Sequence, residues 1–289
     1  EGMVDRKEDV LAASGITASI NYLVYTGEAP VFNQAQSAAE KMRMQGKREP
    51  REMPIRNARL LPNDFSLDVE GFAFAGQATR VTDFNDDAQL ESVYTPEIEA
   101  LIAAKAGASE AVVFDHTRRS TELAHREKYA SRDPVPAPHT DYTDASAVQR
   151  MRDKFGADAD ERLKGRFAIV NAWRSMTGFI EQWPLTVCDA RTIDDSTLHA
   201  TRREAPLRAE PSFEYNRPSS TRHATYDGNH RWFYFPRMTR DEVLLFKNYD
   251  TLTDGTARYA LHSAFEDPET PDNPAPRETI ETRAFVFYD

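Results

Sequence analysis

His139 and Asp141, two residues apart, and His262, far downstream, supply two imidazoles and one carboxylate. Such a donor set holds a divalent first-row metal on one face and leaves the opposite face open to other ligands. The three-letter pattern is weak by itself. With 7 histidines and 47 acidic residues in 289 positions, about one His-x-Asp/Glu arises by chance. The chain has two, His139-Thr140-Asp141 and His125-Arg126-Glu127.

Local geometry separates the pair. Residues two apart share a face on a strand and diverge on a helix. His125 lies in Thr121-Glu122-Leu123-Ala124-His125-Arg126-Glu127-Lys128, rich in helix formers, so its ring and Glu127 are expected to diverge on a solvated surface. His139 follows Pro134-Val135-Pro136-Ala137-Pro138, which enforces extended backbone and lets the ring and the Asp141 carboxylate converge.

A third ligand is expected on a late strand. His199 and His223 sit in polar, loop-like stretches, His230 opens Arg231-Trp232-Phe233-Tyr234-Phe235, and His262 lies inside the alternating segment Tyr259 to Phe265. His262 is favoured because Arg277 and Thr279 follow it at the start of the last strand. If a keto-diacid such as 2-oxoglutarate chelates the metal, its far carboxylate needs a fixed cation, and the planar fork of arginine suits it. Thr279 shares the face of Arg277 and adds a hydroxyl. Arg240, ten residues after His230, is the alternative, without a hydroxyl at that spacing.

The elements that must carry these residues are short strands spread over the chain: 16–25, 55–61, 111–115, 166–173, 183–189, 231–235, 243–249, 257–265 and 279–288. Helices are expected at 33–44, at 95–106 with Thr95 as cap and a stop at Gly107, and from Thr143 or Asp144 to Lys154. The predicted fold is mainly β with α decoration, a double-stranded β-helix (jelly roll, cupin-like) with helices packed around it. Residues 1–289 are expected to form a single domain, helix-rich in its amino-terminal half and with a β-rich core from about 110 to 289.

Composition narrows the partners. The net charge of −11 and pI of about 5.2 argue against nucleic acid as a partner. The charged amino end has no apolar run, and no window reaches the ~18 apolar residues of a membrane helix, so no membrane association and a cytoplasmic location are expected. Cys188, the single cysteine, reads as a buried small residue rather than a nucleophile.

The chain also resembles the fungal and bacterial iron(II)/2-oxoglutarate-dependent oxygenases of the hydroxylase/desaturase type. The resemblance runs from about Ile20 to Tyr288. It is carried by Asn57-Ala58-Arg59, Gly71-Phe72-Ala73-Phe74, Val113-Phe114-Asp115-His116-Thr117-Arg118, His139-Thr140-Asp141, Asn171-Ala172-Trp173-Arg174, Pro184-Leu185-Thr186-Val187-Cys188-Asp189, Trp232-Phe233-Tyr234-Phe235-Pro236, Glu242-Val243-Leu244-Leu245-Phe246-Lys247 and Pro276-Arg277-Glu278-Thr279-Ile280-Glu281. It implies Fe(II), 2-oxoglutarate and dioxygen, with His139, Asp141 and His262 as metal ligands and Arg277 with Thr279 as the oxoglutarate clamp. Arg283, on the same strand face as Arg277, is expected to share or take that role, and Arg174 to neutralise a substrate or co-substrate carboxylate. His116 reads as a satisfied structural histidine ahead of a place at the pocket mouth, Trp173 is a candidate for a core or pocket wall, and Tyr234 and Lys247 are candidates for supporting groups. The expected reaction is C–H oxidation of a small molecule, an amino acid or other carboxylic acid, ending in hydroxylation, desaturation or ring closure. The rival readings are a cupin-like binding protein that is non-catalytic or indifferent to oxoglutarate, and an oxygenase that draws every electron from its substrate.

Overall fold

Sixteen strands, numbered in chain order, form the framework of the computed structural model, which describes residues 15–33, 43–44, 47–62, 64–204 and 221–289. The larger sheet runs β1 (Gly15–Leu23), β4 (Arg48–Asn57), β13 (Trp232–Tyr234), β9 (Leu185–Cys188), β15 (His262–Ala264), β7 (His139–Thr140), β12 (Arg222–Ala224) and β10 (Leu198–Ala200). A five-stranded sheet faces it: β5 (Phe72–Gly76), β14 (Glu242–Asp250), β8 (Phe167–Ser175), β16 (Glu278–Phe287) and β6 (Glu110–Ser120), antiparallel throughout. A small third sheet joins β2 (Val31–Asn33), β3 (Arg43–Met44) and β11 (Arg202–Glu204). The fold is the double-stranded β-helix, cupin-like, with helices on its outside.

Alternation along β16 and β8 explains the layering. Ile280, Ala284 and Val286 of β16, with Val170 and Ala172 of β8, face outward and meet Ile98 and Ile102 of the Thr95–Ala106 helix. That spacing of four residues stacks both isoleucines on one helix face, and burying each contributes about 1.5–3 kcal/mol. The opposite faces build the inter-sheet core from Phe72, Phe74, Trp173, Val187, Phe233, Leu244 and Phe246. β8 is buried along its whole length because helices cover one face and the larger sheet the other. β1, β4 and β5 belong to the two main sheets, so the β framework begins well before residue 110.

Two bulges interrupt this alternation. In the β16–β6 pairing Arg283 faces Asp115 and Ala284 faces Val113, leaving Phe114 unpaired. In the β14–β8 pairing Lys247 faces Val170 and Tyr249 faces Ile169, leaving Asn248 unpaired. An extra residue re-aims the side chains around it. Val113 therefore packs under the helices while Asp115 turns inward.

Several local expectations need correction. The Thr95–Ala106 helix ends at Gly107, with φ of 60°, but Thr95 does not cap it, because a π-helical turn, Leu90–Tyr94, runs straight into it. Of 257–265 only His262–Ala264 forms strand. The expected helix at 33–44 falls mostly outside the described residues, and its ends belong to β2 and β3. The Asp144–Phe155 helix starts as expected from Thr143, whose side chain accepts from Ser146 N in a capping box. No helix among the described residues is long and apolar enough to cross a membrane.

Candidate active site

The Pro-rich approach to β7 delivers His139, and β15 pairs His262 directly opposite it. Asp141 follows β7 and turns toward both rings. Its Oδ1 lies 3.5 Å from His139 Nε2 and 3.7 Å from His262 Nε2, and one ligand atom from each residue falls within 4.8 Å of the others. Two donors that each bind one ion at about 2.1 Å sit no more than about 4.2 Å apart, so both contacts to Asp141 suit a shared metal.

Every orienting contact leaves those atoms facing inward. His139 Nδ1 donates to the Ala137 carbonyl at 2.7 Å, which assigns the tautomer with a lone pair on Nε2. Phe246 packs on the His262 ring with centroids 4.5 Å apart. Asp141 Oδ2 accepts from Asn171 Nδ2 at 3.1 Å and from Arg283 Nε at 2.8 Å, leaving Oδ1 to the imidazoles. The Asp141 amide donates to Asn248 Oδ1 at 2.8 Å, the residue that the β14 bulge turns inward.

The electrostatics agree with a cation site. Burial alone would push the Asp141 carboxyl up, but Arg283 and the two imidazoles hold it well below the usual carboxylate range. Burial, then His139, lowers His262 to about 3, so its ring is neutral and able to bind metal.

Beside the triad, a cavity is lined by Arg119, Val135, His139, Trp173, Leu185, His262, Ala264, Arg277 and Glu281. Arg277 lies against the Trp173 ring, 5.3 Å from its centroid, and is 2% exposed. Its Nε and Nη1 and the buried Thr279 hydroxyl have no hydrogen-bond partner among the described residues. Burial, then Arg119, lowers this guanidinium to about 9, the mark of a buried cation whose counter-charge has to come from elsewhere. Glu281 lines the same cavity, but its carboxylate accepts from Asn171 at 2.6 Å, Arg283 at 3.1 Å and Arg119 at 3.3 Å.

Other expected site residues are not brought here. Arg283 faces inward, but its guanidinium is spent on Asp141, Asp115, Glu281 and Thr117. With three carboxylates around it, it has no capacity to clamp a fourth. Arg174 lies on the outward face of β8, donating to the carbonyls of Arg240 and Gln77 beneath the helices, so it cannot reach a ligand at the triad. His116 is on that outer face too, bonded between Thr95 and Thr282 as a structural histidine, the reading its sequence favoured over the pocket mouth. Lys247 is held by Asp68 and Asp250, and Tyr234 packs in the core beyond the larger sheet. His230 bonds Tyr22 at 3.0 Å, away from the triad.

Two histidine expectations also change. His125 is buried, 2.9 Å from Ser131 Oγ, rather than solvated, while Glu127 is exposed, so the two still diverge. His199 and His223 lie in strands, and His223 stacks on His139 with centroids 5.4 Å apart. Cys188 is buried and its thiol is pushed up to about 12 by burial, which suits a packing residue. Sequence reasoning assigned no role to Arg119, Glu281, Asp115 or Asn248. For Glu281 a signal existed, since it continues the period of two from Arg277 through Thr279 to Arg283.

A family model described as "Oxidoreductase/YMDC permease-like domain" matches residues 20–287. The hydroxylase/desaturase efuI of Hormonema carpetanum is 32% identical over 95% of this chain and 95% of its own length. The Fe(II)/2-oxoglutarate-dependent dioxygenase nvfI of Aspergillus novofumigatus is 31% identical over 82% of this chain and 84% of its own. A solved structure, the iron and alpha-ketoglutarate-dependent endoperoxidase NvfI, superposes with a TM-score of 0.81 at 25% identity, covering 96% of this chain and 99% of that one.

Proposed function

This chain belongs to the family of iron(II)/2-oxoglutarate-dependent hydroxylase/desaturases, and we propose that His139, Asp141 and His262 hold its iron(II) while Arg277 and Thr279 receive the distal carboxylate of oxoglutarate. It is an oxidoreductase that oxidises C–H bonds of a small molecule in secondary-metabolite biosynthesis. The observation that carries the site assignment is the buried pair Arg277 and Thr279, without hydrogen-bond partners for Arg277 Nε and Nη1 and the Thr279 hydroxyl among the described residues, beside the three converging donor atoms.

Each residue has a task that its contacts support. His139 presents Nε2 because Nδ1 is engaged, and Asp141 presents Oδ1 because Asn171 and Arg283 hold Oδ2. Arg277 and Thr279 supply donors to an incoming carboxylate, whose charge offsets that of the buried guanidinium. Trp173 and Leu185 wall the cavity and keep water from it. When bound, iron(II) with oxoglutarate and dioxygen supplies the oxidising power that removes hydrogen from an unactivated carbon. The substrate is a small natural-product intermediate, an amino acid or other carboxylic acid. Residues 1–289 act as one catalytic unit. The reaction takes place in the cytoplasm, whose reducing conditions keep both iron(II) and a lone cysteine reduced.

The test is iron-dependent succinate formation from oxoglutarate, with a panel of amino acids and terpenoid acids as substrates. Products heavier by about 16 mass units report hydroxylation, and products lighter by about 2 report desaturation. Absence of iron-dependent succinate with every acid, or wild-type turnover by Arg277→Ala, overturns the assignment.

A further inference from the structure

A row of histidines crosses four neighbouring strands of the larger sheet: His262 pairs with His139, His139 with His223, and His223 with His199. Arg48, the first residue of β4, reaches this row from another part of the sheet. A bridge between Leu23 and Thr225 brings the end of β1, and with it Arg48 opposite Leu23, alongside β12. Arg48 Nη2 donates to His223 Nδ1 at 3.3 Å, and His223 in turn stacks on His139. Along β4, Met53 and Ile55 enter a hydrophobic core, while Arg48 and Arg56 project from the other face, where Arg56 lies over Phe233 of the inter-sheet core.

Arg48 is a second uncompensated guanidinium near the triad. Its Nε and Nη1 are buried without hydrogen-bond partners, and no ion pair among the described residues includes it. Burial, with no acid to oppose it, lowers the group to about 10. A buried donor left unmade costs about 1–3 kcal/mol, more on a charged group, and such a cost is removed when an anion arrives. That anion is not the oxoglutarate carboxylate assigned to Arg277. Arg277 immediately precedes the strand β16 of the opposite sheet, and the cavity it lines does not include Arg48.

We propose that Arg48, oriented by His223, anchors a carboxylate of the organic substrate, so that the protein acts on an acid held next to His139. The proposal rests on the reading above that a small molecule is oxidised at the triad. It places the two anions of the ternary complex on two arginines from opposite sheets, which keeps co-substrate and substrate from exchanging places.

The test uses the iron- and oxoglutarate-loaded protein under anaerobic conditions, titrated calorimetrically with benzoate and hexanoate and with their uncharged amides. The acids are expected to bind at least about ten-fold more tightly than the amides, and Arg48→Gln to abolish that preference while oxoglutarate affinity stays within about two-fold. Arg48→Lys, which keeps the charge, is expected to retain part of the preference, and circular dichroism of both variants checks the fold. Arg277→Gln is expected to do the converse, losing oxoglutarate affinity and leaving the acid preference intact. No binding of either acid to wild type, no preference over the amides, or equal preference in Arg48→Gln overturns the proposal. A failure confined to Arg277→Gln strikes the oxoglutarate clamp instead.

Discussion

At the scale of single residues, the site is a set of charges each turned by a neighbour. Asp141 is useful because Asn171 and Arg283 take one of its oxygens. Removing such a supporting partner typically weakens metal binding by about 10–100-fold. Asn171→Ala is therefore expected to raise the iron dissociation constant by at least about ten-fold, measured by competition with a chelator. Arg277→Ala removes charge-assisted hydrogen bonds worth about 2–5 kcal/mol, so the oxoglutarate KM is expected to rise at least about 30-fold. Thr279→Val removes one hydrogen bond to a carboxylate worth about 1.5–3 kcal/mol and is expected to raise it at least about ten-fold. His139→Ala and His262→Ala are expected to abolish iron-dependent turnover while circular dichroism remains native. His125→Ala is expected to keep activity and lose about 1–2 kcal/mol of stability, because its bond to Ser131 is buried.

At the scale of elements, the bulges do what regular strands cannot. On an unbroken strand Val113 and Asp115 would share a face. The unpaired Phe114 lets one pack under the helices and the other meet Arg283 at 2.6 Å. The unpaired Asn248 likewise turns to accept from the Asp141 amide and from Thr140 Oγ1. Asn248→Ala leaves that amide without its acceptor in a buried setting. A loss of about 1–3 kcal/mol in denaturant unfolding is expected, together with weaker iron binding. An unchanged iron affinity would show that the bulge serves packing alone.

For the whole molecule, the buried imidazoles set a pH dependence. Burial lowers His116 to about 4 and His262 to about 3, and holds His223 well below the usual value. In the unfolded chain each histidine takes up a proton near pH 6.5, while in the folded metal-free protein none of the three does so until the pH is far lower. Between about pH 6.5 and 4 the unfolded state thus binds more protons, and stability falls as the pH drops. Each group contributes about 1.4 kcal/mol per pH unit, so the urea midpoint of the metal-free protein is expected to decrease clearly from pH 7 to pH 5. A flat midpoint over that range would contradict neutral burial of these rings.

Local and periodic features were legible in the chain before any tertiary contact. The Pro-rich run made the approach to His139 extended, and the period of two aligned Thr279, Glu281 and Arg283 on one face of β16, with Arg277 at the same spacing just before it. The apolar stripe of Ile98 and Ile102 and the Gly107 stop marked a helix. These depend on backbone sterics and on spacing within one element, which a single segment carries. Tertiary structure alone decided which arginine was free. Arg277 and Arg283 fall in the same period-of-two register, yet only the pairing of β16 with β6 surrounds Arg283 with acids, while the Arg277 Nε and Nη1 have no hydrogen-bond partner among the described residues. The same holds for His223, which reads as a loop residue until β12 pairs with β7, and for Arg174, whose face depends on which side of β8 the helices cover. Charge compensation and the faces of bulged strands arise from contacts between distant segments, and no local pattern records them.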